Sequence, residues 1–158
     1  MMSITDGKYA ASMDMWPLQG KKFTMIYPFF DNLKEGRLTT TKCKDCGTLS
    51  FPPRGVICPE CLSENLEWVD LPTRGKALSV TYEEVGVPLG FETPLVHAMV
   101  DLGGVLTLFT RIKDCPMGAL QVGDEVKLVV FPVDPLPFDG KKGEDNVIQR
   151  VFFAFEKA

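Results

Sequence analysis

The sequence predicts a mainly β protein: an N-terminal helix, then a small β module organised by four cysteines, then a five-stranded barrel of OB type. Three observations carry this reading. Two Cys-x-x-Cys pairs, Cys43-Lys-Asp-Cys46 and Cys58-Pro-Glu-Cys61, stand eleven residues apart. From Lys76 onward, short alternating apolar segments follow one another with Gly and Pro turns between them. Ahead of the cysteines, Phe23 to Gly36 has helical spacing, with Tyr27, Phe30 and Leu33 in step and Gly36 as a stop.

Residues 1–36 are assigned to an extended arm, with Trp16 before Pro17, and the short helix. Residues 37–72 form the cysteine module. Strand-like Arg37 to Thr41 leads into the first pair, Thr48 to Phe51 continues until Pro52-Pro53 ends it, and Leu66 to Val69 alternates like a strand. Residues 73–158 hold the barrel, with strands expected at Ala77–Tyr82, Leu95–Val100, Val105–Arg111, Val126–Phe131 and Val147–Phe155. Gly103-Gly104 marks a turn. Five strands in about 80 residues, with a short connection between the third and fourth, suit a small Greek-key barrel; a small β-sandwich is the alternative. Pro132 to Asn146 is rich in Pro, Gly and charge and long for a hairpin loop.

The cysteines carry the first chemical inference. Four thiolates in two short knuckles can surround one tetrahedral ion, with Zn–S near about 2.3 Å. Gly47 follows Cys46 and can take left-handed backbone, while Pro59 fixes φ in the second knuckle. Two disulfides or four unrelated buried thiols are the competing readings; paired spacing with turn residues at both ends favours a structural Zn2+ on Cys43, Cys46, Cys58 and Cys61. Strand, knuckle, strand, knuckle is the layout of a zinc ribbon. Such a closed site offers no position to water or substrate and does no chemistry itself.

Composition narrows the remaining classes. A chain of 158 residues holds one ordinary domain or two small ones. It carries 17 Lys+Arg against 21 Asp+Glu, the wrong balance for a general polyanion binder. No basic, apolar leader opens the chain and no apolar run reaches the length of a membrane span, so no membrane is expected as partner. Reduced cysteines and the absent leader point to the cytoplasm. Independent catalysis lacks material: His97 is the single histidine, Cys115 is the one cysteine outside the pairs, and no base neighbours Cys115 in sequence. His97 reads as an ordinary strand residue and Cys115 as a small filler.

Several stretches together resemble a known family. Phe29-Phe30-Asp31-Asn32-Leu33-Lys34-Glu35-Gly36-Arg37-Leu38 precedes the first knuckle; Cys46-Gly47 and Phe51-Pro52-Pro53-Arg54 follow; Cys58-Pro59-Glu60-Cys61, Glu67-Trp68 and the Gly75–Thr81 strand complete the run. They look like the family of acyl-CoA-associated proteins that join a rubredoxin-like zinc ribbon to an OB fold, most of all its small subunits of thiolases in anaerobic toluene degradation. The resemblance implies a non-catalytic accessory subunit of a larger thiolase-like acyltransferase, helping to form or cover the acyl-CoA site. Some relatives in that family serve enoyl-CoA hydratases. It implies a coenzyme A thioester at a site shared with the partner; the acidic charge balance, separately, argues against nucleic acid as a partner. Two features depart from the family pattern: its Phe-Arg-Pro-like ending is not evident after Val151-Phe152-Phe153, and the Pro132–Asn146 loop is enlarged.

For the coenzyme A phosphates, Arg54 is the first candidate, because Pro52-Pro53 would present it rigidly; the alternative is an ordinary surface arginine. Trp68 reads either as an adenine-stacking ring or as a plug between ribbon and barrel. The apolar residues of the arm and of the Phe23–Leu33 helix suit burial against a partner, or packing across their own ribbon. The rival class is a single-stranded nucleic-acid binder, since OB barrels bind strands by aromatic stacking over a basic groove. Sixteen aromatics are present, but the basic residues are scattered among acids.

Overall fold

The computed structural model describes Lys21 and residues 24–87, 91–133 and 150–158. The expected arm, Phe23, residues 134–146 of the long loop and residues 147–149 of the expected last strand lie outside these. The described chain falls into two compact units, one up to Leu71 and one from Pro72. Among the described residues, no helix is long and apolar enough to cross a membrane.

In the first unit, helix α1 spans Tyr27–Lys34, shorter at its start than the apolar spacing suggested. Pro28 explains the start, because its ring is tolerated in the first turn, where an N–H has no partner to lose. The amides of Glu35, Gly36 and Arg37 return to the carbonyls of Asn32, Leu33 and Asn32 at 2.9–3.0 Å, and Gly36 takes φ 78° to end the helix. Phe29, Phe30 and Leu33 are buried while Tyr27 is only half-buried, so the inward face is rotated from the Tyr27–Phe30–Leu33 line. The Phe29 ring meets Phe30 at 5.1 Å and Phe51 at 6.2 Å, both edge-on. The helix therefore buries Phe29, Phe30 and Leu33 within its own unit.

Strands β1 (Thr39–Cys43), β2 (Leu49–Ser50) and β3 (Leu66–Asp70) form an antiparallel sheet in the order β2-β1-β3. Central β1 buries Thr39, Thr40 and Thr41, and every one of these hydroxyls has a partner. Thr39 Oγ1 accepts from Asn32 Nδ2 at 3.1 Å, Thr40 Oγ1 donates to the Ser50 carbonyl, and Thr41 Oγ1 accepts from the Arg54 amide at 2.8 Å. β-branched residues suit the strand, and the satisfied hydroxyls remove the penalty of burying them. Arg37 donates from Nε and Nη2 to the two oxygens of Asp70 at 3.0 and 3.2 Å, tying the helix end to β3.

In the second unit, strands β4 (Arg74–Glu83), β5 (Leu95–Asp101), β6 (Thr107–Ile112), β7 (Glu125–Val133) and β8 (Arg150–Lys157) close into a barrel of order β4-β5-β6-β8-β7. All pairings are antiparallel except β6 with β8. This closed Greek-key arrangement is the OB type, and it removes the sandwich alternative. β4 serves two neighbours, β7 along Arg74–Lys76 and β5 along Lys76–Glu83, with a bulge between Ala77 and Ser79 that lets it turn the corner. Gly75 sits at that corner; a Cβ there would lie 2.5 Å from the Asp101 carbonyl oxygen and 2.7 Å from Val100 Cγ1.

Alternation fills the interior with Val96, Ala98, Val100, Leu108, Ile112, Val126, Phe153 and Phe155, all under a tenth exposed. Tyr82 Oη donates to the Leu120 carbonyl at 2.7 Å and accepts from the Leu120 amide at 2.9 Å, pinning the β6–β7 connection. Two sequence boundaries move. Val105 and Leu106 belong to the turn, closed by the Leu102 amide on the Leu106 carbonyl at 2.9 Å, so β6 starts at Thr107. Pro132 pairs with Val151 and Val133 with Arg150, so the start of the supposed loop is strand.

Candidate metal centre

The two knuckles are built alike. In the first, the Gly47 amide donates to the Cys43 carbonyl at 2.9 Å and the Cys43 amide to the Thr48 carbonyl at 2.9 Å. In the second, the Leu62 amide donates to the Cys58 carbonyl at 3.1 Å and the Cys58 amide to the Ser63 carbonyl at 2.9 Å. Gly47 and Leu62 both take left-handed backbone, with φ 78° and 61°. Gly47 plays the expected part; in the second knuckle the turn falls to Leu62, beyond the Pro59 that the sequence had suggested.

These turns bring the four sulfurs within 4.8 Å of one another. Cys43 Sγ lies 3.6 Å from Cys61 Sγ, and Cys46 Sγ 3.5 Å from Cys58 Sγ. A disulfide requires about 2.05 Å, so these are not bonded pairs. A tetrahedral ion with Zn–S of about 2.3 Å separates its sulfurs by about 3.8 Å, and the observed spacing fits that geometry. Cys43 and Cys58 are buried, whereas Cys46 and Cys61 face outward.

Electrostatics points the same way. The Thr48 hydroxyl, 3.2 Å from Cys46 Sγ, together with the Thr48 amide brings that thiol down to about 6. A hydrogen bond from the Ser63 backbone amide pulls on Cys61 in the same sense. The thiol of Cys46, burial and the thiols of Cys43 and Cys58 outweigh it, and Cys61 rises to about 12. Four sulfurs this close cannot all carry charge unaided; a divalent cation held among them would supply the missing positive charge. Around them, Asp45 accepts from the Ser63 hydroxyl and from Asn65 Nδ2 at 2.9 Å, and the Lys44 amide donates to the Asn65 carbonyl at 2.9 Å. The Ser63 and Asn65 bonds hold the Asp45 carboxyl below its ordinary range. Sequence reasoning passed over Asp45, Thr48, Ser63 and Asn65; the small polar residues flanking each cysteine pair were the available signal.

The remaining candidates are dispersed. Arg54 is exposed, with its amide anchored on Thr41. Trp68 is half-buried in β3, opposite Thr41. His97 lies on β5 opposite Arg111, its ring stacked on Phe109 at 5.1 Å. Cys115 is half-buried past the end of β6, its thiol 3.7 Å from the Pro116 carbonyl oxygen. It borders a cleft of about 430 Å³ with Glu92, Asp114 and Met117. Among the described residues, no hydrogen bond joins Cys115 to His97.

Comparison with known proteins agrees with this architecture. Residues 30–67 match the rubredoxin-like zinc ribbon domain of ChsH2, and residues 68–131 match its C-terminal OB-fold domain. A DUF35 domain-containing scaffold protein of Methanothermobacter thermautotrophicus is 34% identical over 118 residues, covering 73% of this chain and 83% of the relative. The benzoylsuccinyl-CoA thiolase subunit BbsA of Thauera aromatica is 37% identical over 92 residues, covering 58% of this chain and 62% of that subunit. Among solved structures, a chain of the Ltp2-ChsH2(DUF35) aldolase superposes with a TM-score of 0.64 at 25% identity, over 83% of this chain and 92% of that one. The chain belongs to the ChsH2/DUF35 family, in which a rubredoxin-like zinc ribbon precedes an OB-fold domain.

Proposed function

We propose that this protein is a non-catalytic accessory subunit that joins a larger thiolase-like enzyme and helps to form or cover its acyl-CoA site, in aromatic degradation of the toluene type. The observation that carries this reading is its likeness to a benzoylsuccinyl-CoA thiolase subunit. The geometry supports it. Cys43, Cys46, Cys58 and Cys61 hold one structural zinc in a closed set of donors, where the ion locks two knuckles and activates nothing. Cys115 and His97 supply no nucleophile–base pair, so bond making belongs to the partner. Arg54, presented beside its Thr41-anchored amide, is offered to the coenzyme A phosphates. The four reduced thiols suit the cytoplasm.

Reconstitution tests the reading. The chain alone should show no CoA-dependent cleavage or condensation, and the larger subunit should need it for activity or for a stable complex. Cys115→Ser should leave turnover of the complex within a few-fold. Turnover by the isolated chain, or a larger subunit that works equally well without it, sinks the proposal.

A further inference from the structure

Exposure divides the four cysteines in a way that holding a metal does not by itself require. Each knuckle begins with a buried cysteine, Cys43 or Cys58, and ends with an exposed one, Cys46 or Cys61. The knuckles meet crosswise, so each exposed cysteine has the buried sulfur of the opposite knuckle beside it. Cys46 Sγ lies 3.5 Å from Cys58 Sγ, and Cys61 Sγ 3.6 Å from Cys43 Sγ. A disulfide needs about 2.05 Å, so each crossed pair must close by about 1.5 Å, within reach of side-chain rotation. The knuckles are also tied by groups that ligate nothing. Asp45 accepts from the Ser63 hydroxyl and from Asn65 Nδ2, and the Lys44 amide donates to the Asn65 carbonyl. These bonds keep the two turns side by side while the sulfurs change partners.

Zinc has no redox chemistry of its own, so in such a site the sulfurs are the electron donors. A thiolate that solvent reaches is oxidised first, and a neighbouring thiol condenses with the product. We propose that the ribbon is a peroxide-sensitive zinc switch, in which oxidation joins Cys46 to Cys58 and Cys61 to Cys43 across the knuckles and releases the ion. Hydrogen peroxide gives one oxygen to the exposed thiolate, leaving a sulfenic acid and a hydroxide. The facing thiolate attacks that sulfur, forms the S–S bond and expels a second hydroxide. The two sulfurs lose two electrons in all, and these reduce the peroxide bond. One such disulfide takes two of the four donors, which leaves too few for a closed tetrahedral site. Cys115 takes no part: it belongs to the other unit, and its thiol lies 3.7 Å from the Pro116 carbonyl oxygen. In a reducing compartment a thiol reductant reverses the change, as transient redox-sensing disulfides there require. The switch rests on the zinc assignment and deepens the role of that site.

Zinc release from the full chain is the test, read with a chromogenic chelator before and after treatment with millimolar hydrogen peroxide. The untreated protein should keep its zinc, and the treated protein should yield it in full. A thiol reductant with added zinc should then restore the loaded form. Trypsin and a glutamate-specific protease separate all four cysteines, because Lys44 lies between Cys43 and Cys46, Arg54 between Cys46 and Cys58, and Glu60 between Cys58 and Cys61. Mass spectrometry of the unreduced digest should find the two crossed disulfides. Cys115→Ser should release zinc as the parent does. Zinc that stays bound in peroxide overturns the switch. Disulfides within a knuckle, a bond to Cys115, or release that the reductant cannot reverse overturn it equally. A chain that carries no zinc before treatment overturns the metal assignment as well, so the two failures are told apart.

Discussion

Leu62 occupies in the second knuckle the place that Gly47 holds in the first. Each closes its turn on the carbonyl of the leading cysteine and each takes positive φ. For a side chain that backbone costs about 1–2 kcal/mol, and glycine escapes the cost. Gly47→Ala should therefore destabilise the metal-loaded ribbon by about 1 kcal/mol, although no atom stands within 4 Å of the added Cβ. Leu62→Asn should be neutral to stabilising, since Leu62 is exposed and Asn tolerates this backbone. Competition with a zinc chelator, read as the midpoint for each variant, checks both.

Metal analysis of undenatured protein should find one zinc per chain. Structural zinc contributes about 10–16 kcal/mol of apparent binding energy in small peptides, so Cys46→Ser should disorder the ribbon. The barrel, with its own interior, should keep most of its amide signals. A ribbon that stays ordered without Cys46 would refute the assignment.

Gly75→Ala should damage the barrel. Its Cβ would press on the Asp101 carbonyl and Val100, at a corner where β4 passes from one neighbour to the other. Overpacking of this kind costs about 1–3 kcal/mol. Denaturant unfolding should show a lower midpoint, with the zinc content unchanged.

Asp124 gives the barrel a pH-dependent fastening. Its carboxylate meets Lys157 Nζ at 2.8 Å and accepts the Gln121 amide at 3.0 Å, and the Lys157 bond above all holds it below its ordinary range. A carboxyl depressed in the folded state adds stability above its unfolded value, and that stability is lost as pH falls through the folded one. Asp124→Asn should lower the melting temperature at neutral pH. Below about pH 4 the gap between variant and parent should narrow. A constant gap across the acid range would exclude the linkage.

Nucleic acid gives a contrasting expectation. At about 150 mM salt the chain should show no measurable affinity for single-stranded DNA or RNA, where a phosphate binder retains some. Micromolar binding with a steep salt dependence would restore the rival class.

Local pattern made most of this architecture legible. Period-two alternation located the barrel strands, and cysteine spacing located the knuckles, because both depend on residues close in sequence. What escaped depends on distant pairing or on backbone that side chains do not announce. Pro132 looks like a breaker, yet it pairs with Val151 near the end of β7. The left-handed turn at Leu62 carries no glycine to betray it. Thr48 and Asp45 read as ordinary turn residues until the fold sets one against Cys46 and the other against Ser63 and Asn65. His97 and Phe109 are twelve residues apart, and only the β5–β6 register brings their rings together.

The parallel seam between β6 and β8 has a consequence for the chain as it is made. Ile112 meets Phe155, and β8 also runs the whole length of β7. Until β8 has left the ribosome, β7 presents a row of unpaired amides and carbonyls along Val126–Val133, and β6 lacks its neighbour at Ile112. A nascent or truncated chain ending before Arg150 would be a sticky half-cylinder, open to pairing with any other exposed edge.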